Sequence, residues 1–99
     1  MTKLIYSNFV KRDLKEIKDW YRKIDVKLWN DFVREFKSKV ILIKENPLSF
    51  EIKYDEIRIV FLKRFPFGIH YFYDKEKNAI EIYSIFHTSR NPEQWKDRK

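Results

Sequence analysis

Five side chains in the second half of the chain could hold or act on an anionic group: Lys53, Arg58, Arg64, His87 and Arg90. Arg58 and Arg64 stand an even number of positions apart in an alternating segment, so a strand would project both from one face. His87 and Arg90 fall at and just beyond the end of a second alternating segment, and Lys53 belongs to the segment before Arg58. Antiparallel pairing could gather these groups. Clustered guanidinium groups bind phosphate oxygens and stabilise the charge of a phosphoryl transition state. An imidazole among them could protonate a leaving group. The same residues admit a plainer reading. Arg58 and Arg64 would then be solvated charges, His87 a cap or surface residue, and Arg90 a partner of Glu93 or Asp97.

Other chemistries find little support. The chain has no cysteine, which removes disulfides, thiolate-bound zinc and a thiol nucleophile. His70 and His87 give no metal-ligand spacing, so no metal is expected, and no glycine-rich loop points to a nucleotide cofactor. Ser84, His87 and Ser89 are close in sequence, but no nucleophile-elbow pattern surrounds them. The aromatic residues Phe65, Phe67, Tyr71, Phe72, Tyr73, Tyr83 and Phe86 could stack on bases, yet in alternating strands they read first as core. His70 is expected at the sheet surface without a role.

The elements that must position the candidates divide near Pro47. Lys3 to Tyr6 reads as a short strand, after which Ser7 or Asn8 can cap a helix. Val10, Leu14, Ile17, Tyr21 and Ile24 then recur at helical spacing and define a buried stripe. Asp25 can cap a second helix, whose stripe is Trp29, Phe32, Val33, Phe36, Val40 and Ile43. Asp19 with Lys23 and Glu35 with Lys39 have the acid-first spacing that supports exposed helix faces. Asn46 precedes Pro47 and ends this helix. The spacing then predicts strands over 50–54, 57–64, 68–73 and 79–86, with turns at Asp55-Glu56, Phe65-Gly68 and Asp74-Asn78. Pro92 to Trp95 reads as one helical turn, with Trp95 folding back over the sheet. The expected fold is therefore α+β, a single domain over 1–99. An N-terminal strand precedes an αα-hairpin packed on one face of a twisted antiparallel sheet, and a short C-terminal helical turn follows, in the order β-α-α-β-β-β-β.

Ninety-nine residues allow one modest core and exclude a large multidomain enzyme. With 43% hydrophobic and 18% aromatic residues the chain can fill that core. The formal charge is +7, which points to an anionic partner. Residues 1–50 carry 12 Lys and Arg against 7 Asp and Glu, a balance of +5, whereas residues 51–99 carry 10 against 8, a balance of +2. The excess therefore sits on the helices, away from the candidate cluster, and favours an acidic protein over RNA. The start of the sequence has no signal-peptide pattern and the longest apolar run, Val40 to Ile43, is far too short to span a bilayer. A cytoplasmic protein without a membrane partner is expected.

Two stretches carry a family resemblance. They are Arg64-Phe65-Pro66-Phe67-Gly68-Ile69-His70-Tyr71 and the run from Ile80-Glu81-Ile82-Tyr83 through Phe86-His87-Thr88-Ser89-Arg90-Asn91-Pro92-Glu93-Gln94-Trp95. Together with Asp13-Leu14-Lys15-Glu16-Ile17, Trp20-Tyr21 and Lys44-Glu45-Asn46-Pro47, they resemble the RelE/ParE toxin superfamily, and within it the ParE, or plasmid-stabilisation, branch. The resemblance covers almost the whole chain and rests on the order of its motifs. It implies the toxin of a type II toxin–antitoxin module, neutralised by a cognate acidic antitoxin, as a homodimer or a toxin–antitoxin hetero-oligomer. ParE-type members poison DNA gyrase by binding it. RelE-type members cleave messenger RNA on the translating ribosome, which would make His87, Arg64 and Arg90 catalytic, with Arg58 in support. In the ParE-like case Arg64 and Arg90, with Lys53 and Arg58, would bind phosphate or the target. Ribonuclease members often end soon after a His-Tyr or Arg-Tyr pair. This chain has His87-Thr88 and runs on past Pro92, a ParE-like pattern. A third reading is an inactive relative that binds only an antitoxin or itself.

Overall fold

Ser7 sets the entry to the first helix. In the computed structural model, which describes residues 2–90, its side-chain oxygen accepts from the Val10 N–H at 3.1 Å and caps helix α1 (Asn8–Ile24). Asp25 separates α1 from α2 (Val26–Glu45) with one extended residue. Its backbone N–H closes α1 on the Tyr21 carbonyl, and its carboxylate caps α2 through the Lys27 N–H at 3.0 Å. One residue thus ends one helix and starts the next, which forces the tight hairpin that the sequence implies. Burial falls along α1 from Val10 through half-buried Tyr21. Ile24, expected on the buried stripe, is 60% exposed because the last turn runs past the core. The expected helical turn at Pro92–Trp95 and the Trp95 lid lie outside the described residues.

The strands are β1 (Lys3–Tyr6), β2 (Ile52–Tyr54), β3 (Ile57–Phe61), β4 (Phe67–Asp74) and β5 (Ala79–His87), in the spatial order β1-β5-β4-β3-β2. The last four pair antiparallel as expected, while β1 lies parallel to β5, which makes the sheet mixed. Asp55 and Glu56 both take positive φ, 43° and 66°, the geometry that a two-residue hairpin requires. β3 stops at Phe61, short of the expected Arg64. The reason is a competing acceptor on α2: the Glu35 carboxylate takes the Lys63 N–H at 2.6 Å and the Arg64 N–H at 3.1 Å, so this backbone leaves the ladder. Glu35 thereby serves the turn, a role its spacing to Lys39 did not suggest.

The hairpin covers one face of the sheet. Phe32 is fully buried, stacks between Trp29 and Phe36, and meets Phe65 and Phe67 edge-on. Removing such a ring costs about 3–5 kcal/mol, several times the worth of any exposed ion pair. Val60, Leu62, Ile69, Tyr71, Ile80, Ile82 and Ile85 complete this core from the sheet side. On the opposite face, Gly68 is closely approached: a Cβ there would sit 3.0 Å from the Ile59 side chain and 3.2 Å from the Phe61 ring, so these neighbours would have to shift by a few tenths of an ångström.

That opposite face corrects the reading of His70. It is 1% exposed, its Nδ1 lies 2.8 Å from the Tyr54 hydroxyl, and its ring meets Phe86 edge-on. Cross-strand register places it between Ile59 and Ser84, so neighbouring apolar surface closes over it. Of the seven aromatic candidates for base stacking, Phe65, Tyr71 and Phe86 are buried and the other four are half-buried.

Asp13 ties the helical layer to the sheet. It is 4% exposed, and its carboxylate accepts the Ile85 N–H at 2.9 Å. Truncation at this site leaves that buried donor without its acceptor, a cost of about 1–3 kcal/mol. Asp13→Ala is therefore expected to lower the urea midpoint by that equivalent with the slope unchanged, and Asp13→Asn, which keeps an acceptor oxygen, by less. Asp19→Ala on the exposed face should change stability by under about 0.5 kcal/mol; a midpoint for Asp13→Ala as small would refute the tie.

Candidate functional site at the end of strand β5

β5 is nine residues long, and β1 pairs only with Ala79 to Ile82. Beyond that point the chain turns into α1, and α1 supplies the missing partners. Ser7 donates its backbone N–H to Ile82 O at 3.1 Å and its hydroxyl to Tyr83 O; Asp13 takes the Ile85 N–H. A bulge at this point, where His70 faces Ser84 but Tyr71 faces Ile82, re-aims the rest of β5. Ile85 therefore points toward α1 and Phe86 away from it, and His87 comes to rest opposite Phe67. The Thr88 N–H on Pro66 O at 2.8 Å fixes the strand end against the preceding turn.

His87 and Arg90 thus share one small cleft with Asp13, Glu16, Phe67 and Phe86. Phe67 meets the His87 ring edge-on at 5.2 Å, and the Arg90 guanidinium lies 5.7 Å from the centre of the Phe86 ring. His87 Nδ1 receives the Ser89 N–H at 3.1 Å and lies 2.7 Å from the Ser89 hydroxyl. The cleft holds about 60 Å³. A water occupies ~30 Å³ of the liquid, so the space suits the tip of a side chain and not a nucleobase.

The other candidates are placed elsewhere. Arg64 sits in the turn after β3, 67% exposed, with Nη2 at 3.6 Å from Asp31 of α2. Arg34 shares that carboxylate at 3.5 Å. The Asp31 side chain is only 11% exposed, and Arg34 would remain on it if an anion recruited Arg64. Arg58 is on the helix side of β3, and its guanidinium donates to the Phe50 carbonyl at 2.5 Å, with Leu48 O at 3.4 Å. It fastens the segment after α2. Lys53 pairs with Glu51 at 3.1 Å on the edge strand. Arg58 and Lys53 are thus engaged at the opposite end of β3 from the turn that carries Arg64, and the five groups do not form one phosphate-binding cluster. Glu93 and Asp97, considered as partners of Arg90, lie outside the described residues.

Asp13 and Glu16 enter the sequence reading only within the family-like motif, and Ser89 only there and as a neighbour of His87 without a nucleophile-elbow pattern. Asp13 had a signal: with Val10 and Ile17 it falls at spacings of three and four on the apolar stripe, where a charge requires a buried partner. Ser89 had only its position two residues after His87. Among the described residues, no group of three His, Asp or Glu gathers for a metal, and no helix is long and apolar enough to cross a membrane.

The profile of the ParE toxin of the type II toxin-antitoxin system parDE matches residues 4–92. The chain belongs to the ParE toxin family. Its fold is similar to the chromosomal ParDE toxin–antitoxin system from P. aeruginosa, with a TM-score of 0.75 at 19% identity over 90% of this chain and 98% of that one. It is also similar to the intact E. coli RelBE toxin–antitoxin complex, TM-score 0.64 at 14% identity over 91% and 100%. For the isolated E. coli RelE toxin the values are 0.58 and 17% over 98% and 95%. No curated protein matches the sequence. The toxin superfamily, the ParE branch and the β-α-α-β-β-β-β order all hold as the sequence implied.

Tyr71 reports on the Arg58 end of this ParE-family sheet. It is cross-strand from Arg58 and donates its hydroxyl to Pro47 O at 2.7 Å. Burial pushes its phenol from 10.0 up to about 12, with Arg58 opposing the shift. A folded-state value above the unfolded one means that both states hold the proton below pH 10. Above it the unfolded state loses its proton first, and stability falls as pH rises from 10 to 12. Tyr71→Phe should flatten this alkaline decline while costing about 1 kcal/mol at neutral pH. Thermal melts across pH 8–12 check this, and an unchanged slope would refute it. Burial also raises Tyr21 and Tyr6, which account for decline that persists in the variant.

Proposed function

We propose that this ParE-family chain acts by binding a protein target, DNA gyrase, to arrest growth, and is neutralised by a cognate acidic antitoxin. The observation that carries this reading is the dispersal of the basic groups. A phosphodiester in a cleavage site needs several cations converging on one point. Here Arg58 is spent on loop carbonyls, Lys53 on Glu51, and Arg64 leans on Asp31, leaving only His87 and Arg90 together. Glu16 and Asp13 in the same cleft oppose a polyanion. Elsewhere the surface suits protein contact. Trp20, Ile24 and Val26 are exposed near the tip of the hairpin, and Ile41 is exposed on α2 beside Arg34 and Lys37. Exposed tryptophan beside aliphatic residues is the composition of protein interfaces. Lys and Arg on the helices would draw in an acidic antitoxin.

His87 and Arg90 in one cleft favour a second reading, a RelE-like endonuclease acting on messenger RNA at the ribosome, with Arg64 recruited from Asp31. One experiment separates them. Expression of the chain in bacteria is expected to arrest growth with loss of negative supercoiling and a DNA-damage response. The purified chain should inhibit gyrase in a supercoiling assay. Codon-phased cleavage of translated messages with gyrase unaffected would overturn the gyrase reading. Co-expression of an acidic antitoxin encoded beside the gene should restore growth.

A further inference from the structure

We propose that Ser89 is a positioning residue that locks His87 as the Nε2–H tautomer, so that the cleft offers a fixed hydrogen-bond donor to a carbonyl oxygen of the target protein. The choice of a protein target rests on the function proposed above; the tautomer rests on geometry alone.

A backbone N–H can only donate, and that of Ser89 points at His87 Nδ1 from 3.1 Å. Nδ1 therefore presents its lone pair. The Ser89 hydroxyl, 2.7 Å from the same nitrogen, must then donate as well. With two donors on Nδ1, the single proton of the neutral ring is on Nε2. The ring is held in place by the edge-on Phe67 contact, and the turn is closed by the Arg90 N–H on His87 O at 3.0 Å. Nδ1 is used up, while no described residue bonds Nε2. An imidazole so arranged has no lone pair at Nε2 and cannot take a proton there from an attacking hydroxyl. It can give a directional hydrogen bond.

Charge and size narrow the acceptor. Arg90 lines the cleft together with two carboxylates, Asp13 and Glu16. Two carboxylates against one guanidinium give a polyanionic backbone little to hold. A single neutral carbonyl oxygen from a protein side chain or main chain fits both the charge and the ~60 Å³ available.

Two measurements test the proposal. The first is a long-range 1H–15N correlation spectrum of the labelled chain, which resolves the two ring nitrogens. Wild type is expected to show a proton-bearing Nε2 and a bare Nδ1 for His87. Ser89→Ala should raise the Nδ1–H population roughly five-fold, the weight of one neutral hydrogen bond, and Ser89→Thr should restore it. A wild-type ring protonated on Nδ1, or a Ser89→Ala spectrum identical to wild type, overturns the positioning role. The second is gyrase affinity. Glutamine keeps an amide N–H near the position of Nε2 but cannot titrate. His87→Gln is therefore expected to bind within about three-fold of wild type, and His87→Ala at least ten-fold more weakly. Equal losses in the two variants overturn the donor role. If wild type itself fails to bind gyrase, the target assignment falls together with the acceptor half of the proposal, while the spectrum still decides the tautomer.

Discussion

A nine-residue strand with only four residues of neighbour on one edge is the constraint around which this molecule is organised. Every N–H and C=O that β5 presents beyond β1 must find a partner, because a buried unpaired backbone group costs as much as several surface contacts supply. α1 meets that demand with its cap and its first turns. The Ser7 N–H takes Ile82 O, the Ser7 hydroxyl takes Tyr83 O, and the Asp13 carboxylate takes the Ile85 N–H. The residue that starts the helix therefore also extends the sheet. This fixes the height of α1 along β5, and it is why Glu16 stands beside His87 and Arg90.

The second layer repeats the device with different chemistry. Asp31 and Glu35 on α2 reach down to the turn after β3, one to the Arg64 side chain and the other to two backbone N–H groups. Charged α2 residues that would ordinarily decorate a solvated face thus act as acceptors for a turn that cannot satisfy itself. The two contacts differ in weight. Glu35 fills backbone donors and fixes the turn. Asp31, itself largely buried, holds the exposed Arg64 guanidinium through a single longer contact at 3.6 Å.

The spacing of apolar residues carried most of the fold. The helical stripes, the Ser7 and Asp25 caps, the break at Asn46-Pro47 and the period-two segments appear in the structure nearly where they fall in the sequence. These are local signals, each decided by residues three or four positions apart. The parallel pairing of β1 was not legible, because it depends on a partner more than seventy positions away. The early end of β3 was missed for the same reason: alternation continued to Arg64, but Glu35 competed for the backbone. His70 misled because a histidine carries no mark of burial until its cross-strand neighbours are known. For the candidate site, sequence alone placed His87 and Arg90 at the end of β5. It could not show that Arg58 faces the carbonyls of Leu48 and Phe50, since that depends on where the segment after α2 lies.

Charge and shape separate in this chain, and the separation bears on how it would meet a partner. The +5 balance of residues 1–50 is carried largely on exposed helix faces, where screening over roughly 8 Å leaves it able to steer an acidic surface but not to orient it. The cleft at the end of β5 is the converse. Asp13 and Glu16 outnumber Arg90 there, so the cleft does not itself draw in an acidic surface, but Phe67, Ser89 and the turn hydrogen bond fix the direction in which His87 points. Long-range attraction raises the rate of encounter without choosing among acidic partners, whereas a fixed donor in a narrow cleft discriminates among them only after contact. Under the proposed function, the helical hairpin therefore gathers candidates and the end of β5 selects among them.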